Sequence, residues 1–146
     1  MRGVSLVELI IIVAILSILA TVIVPSSLRW RSAGELERAH IELVDMLTDA
    51  RERTLNSKKA TRYGVNIQDG ESVLFEGTVY DANAETNEIH SYTNVSLTSQ
   101  LLPETTSVVF SRLTGESNAT GKIMLTHLIT GATSSLEIYV TGAISE

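Results

Sequence analysis

From Val4 to Val24 the chain carries four polar side chains, Ser5, Glu8, Ser17 and Thr21, in a run that is otherwise apolar. As an α-helix, at about 1.5 Å per residue, this run reaches roughly 30 Å, the thickness of a bilayer's hydrocarbon core. Such a segment must be covered by lipid or by other apolar helices, and it leaves the remainder of the chain to form the water-soluble part. A cleaved secretory signal fits poorly, because the apolar run is too long and no small-residue cleavage site follows it. Flanking charge leaves the orientation open, with Arg2 on one side and Arg29 and Arg31 on the other. Glu8 is the anomaly. A carboxylate on an apolar helix costs about 3 kcal/mol on insertion scales and therefore calls for a partner. Either Glu8 sits at headgroup depth, where the helix dipole favours an anion, or it meets an amine. Cleavage after Gly3 would create one at Val4, a single turn before Glu8, in the same chain or in a neighbour.

The stretch Gly3-Val4-Ser5-Leu6-Val7-Glu8-Leu9, followed by the apolar run and Pro25, resembles the class III signal and N-terminal helix of type IV pilins and type II secretion pseudopilins. The resemblance covers about the first 30 residues. It implies a leader of residues 1–3, cleavage between Gly3 and Val4 by a prepilin peptidase with methylation of the new amine, and an assembly role for Glu8 and Pro25. Val4 departs from the phenylalanine usual at that place. The resemblance also supplies the orientation, with the C-terminal part outside the cytoplasm. It implies an inner-membrane, single-pass subunit that ends in a cell-surface pilus or a periplasmic pseudopilus.

Beyond Pro25 the pattern stays helical. Leu36, Ala39, His40, Leu43, Leu47 and Ala50 recur at spacings of three and four, with Glu35, Glu37, Arg38, Glu42, Asp45 and Asp49 elsewhere on the wheel. The helix is expected to end near Asn56-Ser57-Lys58-Lys59, where cations complement the dipole, and to be weakest at Pro25 and Gly34. His40 lies on the apolar stripe and reads as a hydrogen-bonded core residue. After Thr61 the period changes to two: Tyr63, Val65 and Ile67 alternate with Arg62, Gly64 and Asn66, and Asp69-Gly70 offers a hairpin turn before a strand over 72–80. Further strands are expected over 89–92, 95–101, 107–110, 122–127 and 136–141. The predicted fold is α+β and pilin-like: a long N-terminal helix, its transmembrane half over 4–24 and its amphipathic half over 25–60, packed on an antiparallel β-sheet formed by residues 61–146.

With 44% hydrophobic residues the 146-residue chain has room for one anchored domain. From Thr61 onward the cations are Arg62, Arg112 and Lys122, against Asp69, Glu71, Glu76, Asp81, Glu85, Glu88, Glu104, Glu116, Glu137 and Glu146. That balance argues against nucleic acid as a partner. The absence of cysteine excludes disulfides and thiolate metal sites. Several apparent motifs fail on geometry. Gly115 to Lys122 has one residue too many for a phosphate loop, and Ile123 replaces the hydroxyl that would bind metal. Asp81, Asn83 and Glu85 begin like a calcium loop, but Thr86 replaces its glycine and Tyr92 its glutamate. No nucleophile elbow or Ser/His/Asp set can be defended. The sequons at Asn94 and Asn118 read as ordinary polar strand or turn residues. No enzyme activity, cofactor or metal is expected.

The order of apolar strand, glycine turn, hairpin and terminal Val-Thr-Gly over 107–146 is similar to the FimT/GspH class of minor pilins and pseudopilins. DNA-binding members of that class carry a Gly-Arg-x-Arg tail; here Gly142-Ala143-Ile144-Ser145 stands in its place. The function implied is a structural, minor subunit of a pilus or pseudopilus. Its partners would be other pilin or pseudopilin subunits, the prepilin peptidase, the inner-membrane assembly platform and, before assembly, membrane lipid. A DNA-capturing competence pilin and a membrane-tethered ligand-binding domain are the alternatives.

Overall fold

The computed structural model describes residues 5–56 and 60–145; for 20–31 it describes the helical backbone and not the side chains. One helix, α1 (Leu6–Asn56), precedes eight strands: β1 (Tyr63–Gln68), β2 (Glu71–Glu76), β3 (Glu88–Ser91), β4 (Val95–Leu102), β5 (Ser107–Val109), β6 (Thr120–His127), β7 (Thr133–Ile138) and β8 (Ile144–Ser145). Pro25 and Gly34 both lie inside α1 and neither ends it.

The second half of α1 buries the face that the 3.6-residue spacing predicts. Leu36, Ala39, His40, Leu43, Leu47 and Ala50 are buried, together with Met46 and Thr54. Thr54 satisfies its hydroxyl by donating to the Ala50 carbonyl (2.8 Å), and it receives the Tyr63 amide (2.9 Å), so the last turn of α1 is tied to the first residue of β1.

The strands form two four-stranded antiparallel sheets, ordered β3-β2-β1-β5 and β4-β6-β7-β8. α1 packs on β1 and β2 of the first and on β4, β6 and β7 of the second, and the sheets adjoin along β1 and β4. A single core results, in which Leu43 and Leu47 meet Val65, Ile67, Leu74 and Val108 from one sheet and Ile123, Leu125, Leu136 and Ile138 from the other.

The predicted fold class is corrected in two respects. The expected single sheet is two sheets, because the chain crosses over after β4: β5 pairs with β1, while β6 returns to β4. Strand periodicity fixes which face of a strand is apolar and says nothing about its hydrogen-bonded neighbour. The expected membrane-crossing half of the helix is also not found, since among the described residues no helix is long and apolar enough to cross a membrane. The pilin-like arrangement of one such helix on one sheet is therefore not the fold observed. At finer scale, β7 starts and ends three residues earlier than expected, and the chain after it turns through Gly142 (φ 74°) into β8.

Alternation in β1 and β2 also understates their burial. Val65 and Leu74 face α1, and the opposite face, with Gly64, Asn66, Val73 and Phe75, is buried as well. Tyr80 stacks edge-on against Phe75 with ring centroids 5.5 Å apart, and its hydroxyl receives the Gln68 amide (3.1 Å). Asn66 donates from the same face to Thr106 (3.0 Å) and Ser107 (2.8 Å). Gly64 makes the stacking possible, since a Cβ there would lie 2.8 Å from the Phe75 ring.

Leu47 is fully buried between the two sheets. Leu47→Ala should lower the unfolding free energy of the domain by about 3 kcal/mol, the cost of lost burial plus a residual cavity. Equilibrium denaturation checks it, and a loss below about 1 kcal/mol would mean that the two sheets do not share one core through α1.

Candidate functional site

Gly3 and Val4 lie outside the described residues. Pro25 lies within α1, with its side chain outside the description. Glu8 is exposed in the first turn of α1, and Ser5 immediately precedes the helix. Ser5 and Glu8 have the spacing of a capping box, which gives the carboxylate a local reason to stand at a helix N-terminus. Among the described residues, no ion pair includes Glu8.

The surface around Glu8 is the unusual feature of this end. The large aliphatic side chains from Leu6 to Leu19 are 49% to 74% exposed, on every side of the helix. A globular-protein helix shows an apolar stripe and a polar face; one that is apolar all round belongs in an apolar environment. Ser17 conforms, because its hydroxyl donates to the Val13 carbonyl (2.7 Å) and is satisfied within the helix. The segment therefore requires a cover that the described chain does not provide, with one carboxylate near its start.

At the other end of the described side chains, the domain is fastened to α1 by polar contacts. His127, 1% exposed, meets Glu35 through Nε2 (3.1 Å). Its Nδ1 accepts from the Ile129 and Thr130 amides, both at 3.3 Å, so the ring proton sits on Nε2 and is donated to the carboxylate. The same Glu35 oxygen receives the Asn94 side-chain amide (3.2 Å). Asn94 has φ 58°, a conformation asparagine tolerates better than most residues. Glu35 thus joins α1 to the β3–β4 turn and the β6–β7 turn. The sequence carried a signal for this: Ile123, Leu125 and His127 alternate along β6, which places the histidine on the core face. His40, five residues after Glu35, pairs its Nδ1 with Ser134 on β7 (2.9 Å), as expected of a satisfied core histidine.

Two further contacts were not legible beforehand. Arg51 donates to the carbonyls of Gly115 (3.1 Å) and Thr141 (3.4 Å), holding two loops to α1. Gly142 (φ 74°) leaves room for both the arginine and the neighbouring loop, because a Cβ there would lie 2.9 Å from the Arg51 Nε and 2.0 Å from the Gly115 oxygen. Arg53 bonds Asp49 one turn before it (2.7 Å) and both carboxylate oxygens of Glu88 on β3, and the Glu88 bonds hold the guanidinium firmly in its charged form.

An open groove of about 600 Å³ runs between α1 and the β3–β4 turn, lined by Gly34, Glu35, Arg38, Ala39, Glu42, Ser91, Tyr92 and Thr93. Its lining presents no nucleophile paired with a base, and the Glu35 carboxylate is engaged by His127 and Asn94. Tyr92 shares a 2.6 Å hydrogen bond with Ser72, whose hydroxyl also lies 3.2 Å from the Met46 sulfur. Burial pushes the Tyr92 phenol above its ordinary range; the bond to Ser72 opposes the shift and the Glu42 charge adds to it.

The failed motifs are ordinary structure. Gly121 and Lys122 lie inside β6, paired to β4 and β7. The Asp81 carboxylate accepts the Asn83 amide (2.9 Å) in a turn. Among the described residues, no group of three or more His, Cys, Asp or Glu is arranged to hold a metal. Comparison of the chain with family models, with curated proteins and with solved structures gives no match.

Glu35→Ala leaves the buried His127 N–H without an acceptor. It should cost about 1–3 kcal/mol in denaturation experiments, and a change inside error would show that the contact carries no stability. Tyr92 sets a pH dependence. Its pKa is raised in the folded state, so its contribution is complete below the unfolded value of about 10 and is lost as pH rises above it. Melting temperature should therefore fall more steeply above pH ~10 in the parent than in Tyr92→Phe, and parallel curves would refute the assignment.

Proposed function

We propose that the chain is a structural subunit, of the minor kind, of a type IV pilus or a type II secretion pseudopilus, processed after Gly3 and assembled through its N-terminal apolar segment. The observation that carries this reading is a helix exposed and apolar on every side from Leu6 to Leu19, with the single carboxylate Glu8 in its first turn and Gly3 five residues before it. A surface of that kind is unstable in water at roughly 25 cal/mol per Å². It needs lipid while the subunit waits in the inner membrane and the helices of other subunits once it is in a filament. In such a bundle each Glu8 is a desolvated charge that needs a cation, and cleavage before Val4 supplies an amine within the same layer. Pairing between subunits would make assembly depend on register, since a helix one turn out of place leaves its carboxylate unpaired.

The test is made in the cells that produce the protein. Intact mass of the mature chain should correspond to a start at Val4, with or without one methyl group, and a chain retaining Met1 would refute the processing. Glu8→Gln should reach the membrane at the parent level and enter filaments at least tenfold less, about 1.4 kcal/mol of lost preference. Equal incorporation would reduce Glu8 to a helix-capping residue.

A further inference from the structure

Three contacts fix how the second sheet lies along α1: His127 meets Glu35, Ser134 meets His40, and the Thr141 carbonyl meets Arg51. β7 therefore runs in the direction of α1, and its antiparallel partner β6 runs against it, toward the apolar end of the helix. The turn that joins them, residues 128–132, lies at the end of the domain from which the apolar segment leaves.

Leu128 and Ile129 occupy this turn and are 67% and 75% exposed. They are held there by a closed set of bonds. The Leu128 amide donates to the Asn94 carbonyl (2.8 Å) and the Gly131 amide to the His127 carbonyl (2.8 Å), while the Ile129 and Thr130 amides engage the buried His127 ring. A turn so fixed cannot fold its aliphatic side chains back onto the core. Between Lys122 and Glu137 the chain has no Asp, Glu, Lys or Arg, in a protein that is 19% charged. Leu113 at the opposite end of the domain is more exposed still, at 93%, but stands beside Arg112 and close to Glu116.

We propose that the Leu128–Ile129 turn is a lipid-contact element, which places its two side chains in the headgroup–acyl boundary of the bilayer holding the apolar segment. The inference rests on the membrane-inserted subunit proposed above and adds a second point of contact to it. From Val24, the last residue of the apolar run, to Glu35 is about 17 Å of helix at 1.5 Å per residue, and the turn lies on the Val24 side of the His127–Glu35 contact. A charge-free aliphatic turn is what that boundary accepts, because charged side chains are penalised there and aliphatic ones gain from burial. Two attachments fix the attitude of the domain on the membrane, whereas a single helix leaves it free to rotate.

The chain has no cysteine, so Ile129→Cys, Leu113→Cys and Ile12→Cys in the full chain each give one labelling site. Both domain positions are exposed, and a label there leaves the core undisturbed. Each variant would carry an environment-sensitive fluorophore and be reconstituted at low protein-to-lipid ratio into phosphatidylcholine vesicles, part of whose lipid bears a nitroxide on the acyl chain. The labels at Ile12 and Ile129 should lose most of their emission to the nitroxide, and the label at Leu113 should keep it. If Ile12 is quenched while Ile129 behaves like Leu113, the lipid-contact element is overturned and the membrane-inserted subunit stands. If Ile12 is not quenched, both fall. If Ile129 becomes shielded only when subunits assemble, its occupant is a neighbouring subunit and the lipid assignment is wrong.

Discussion

Everything in the domain depends on one helical face being shared by two sheets. Leu43 and Leu47 sit where β1 and β2 on one side and β6 and β7 on the other converge, and neither sheet has another described helix to close against. Each buried leucine contributes about 1.5–3 kcal/mol. The order of the strands follows from the same sharing, because the chain must place inner faces from two separate sheets against one stripe of α1.

The same helix then leaves that core and changes its surroundings. From Ser32 onward one face of it packs against the chain, and from Leu19 back to Leu6 its large aliphatic side chains are open on all sides. One continuous element thus carries two surfaces built for two environments, a stripe for the domain and a full circumference for something outside it. Polar residues within the apolar part are either satisfied locally, as Ser17 is, or stand at the helix start, as Glu8 does.

Between these regions, polar side chains of α1 set the positions of the loops. Glu35 holds the β3–β4 and β6–β7 turns, Arg51 the loops at Gly115 and Thr141, and Arg53 the edge strand β3. Of these, the Glu35–His127 contact reaches deepest, because the imidazole is buried and both of its nitrogens are engaged. The Arg53 pairs are half-exposed and contribute more to placement than to stability.

The sequence by itself determined the local features whose cause is local. Spacing of three and four identified the buried face of α1 from Leu36 to Ala50, and alternation set Val65 and Ile67 on one face of their strand, because helix and strand periods act within a few residues. It placed His40 in the core, and it marked the Val4–Val24 run and Glu8 as a segment in need of a cover. The tertiary structure alone decided which strands pair. The crossover that joins β5 to β1 and returns β6 to β4 involves partners far apart in sequence, and no period records it. It also decided that Phe75 is buried by Tyr80, that Arg51 needs a glycine at 142, and that Glu35 finds His127 ninety-two positions away. Those contacts depend on the two sheets closing on one helix, an arrangement set by the packing of the whole chain.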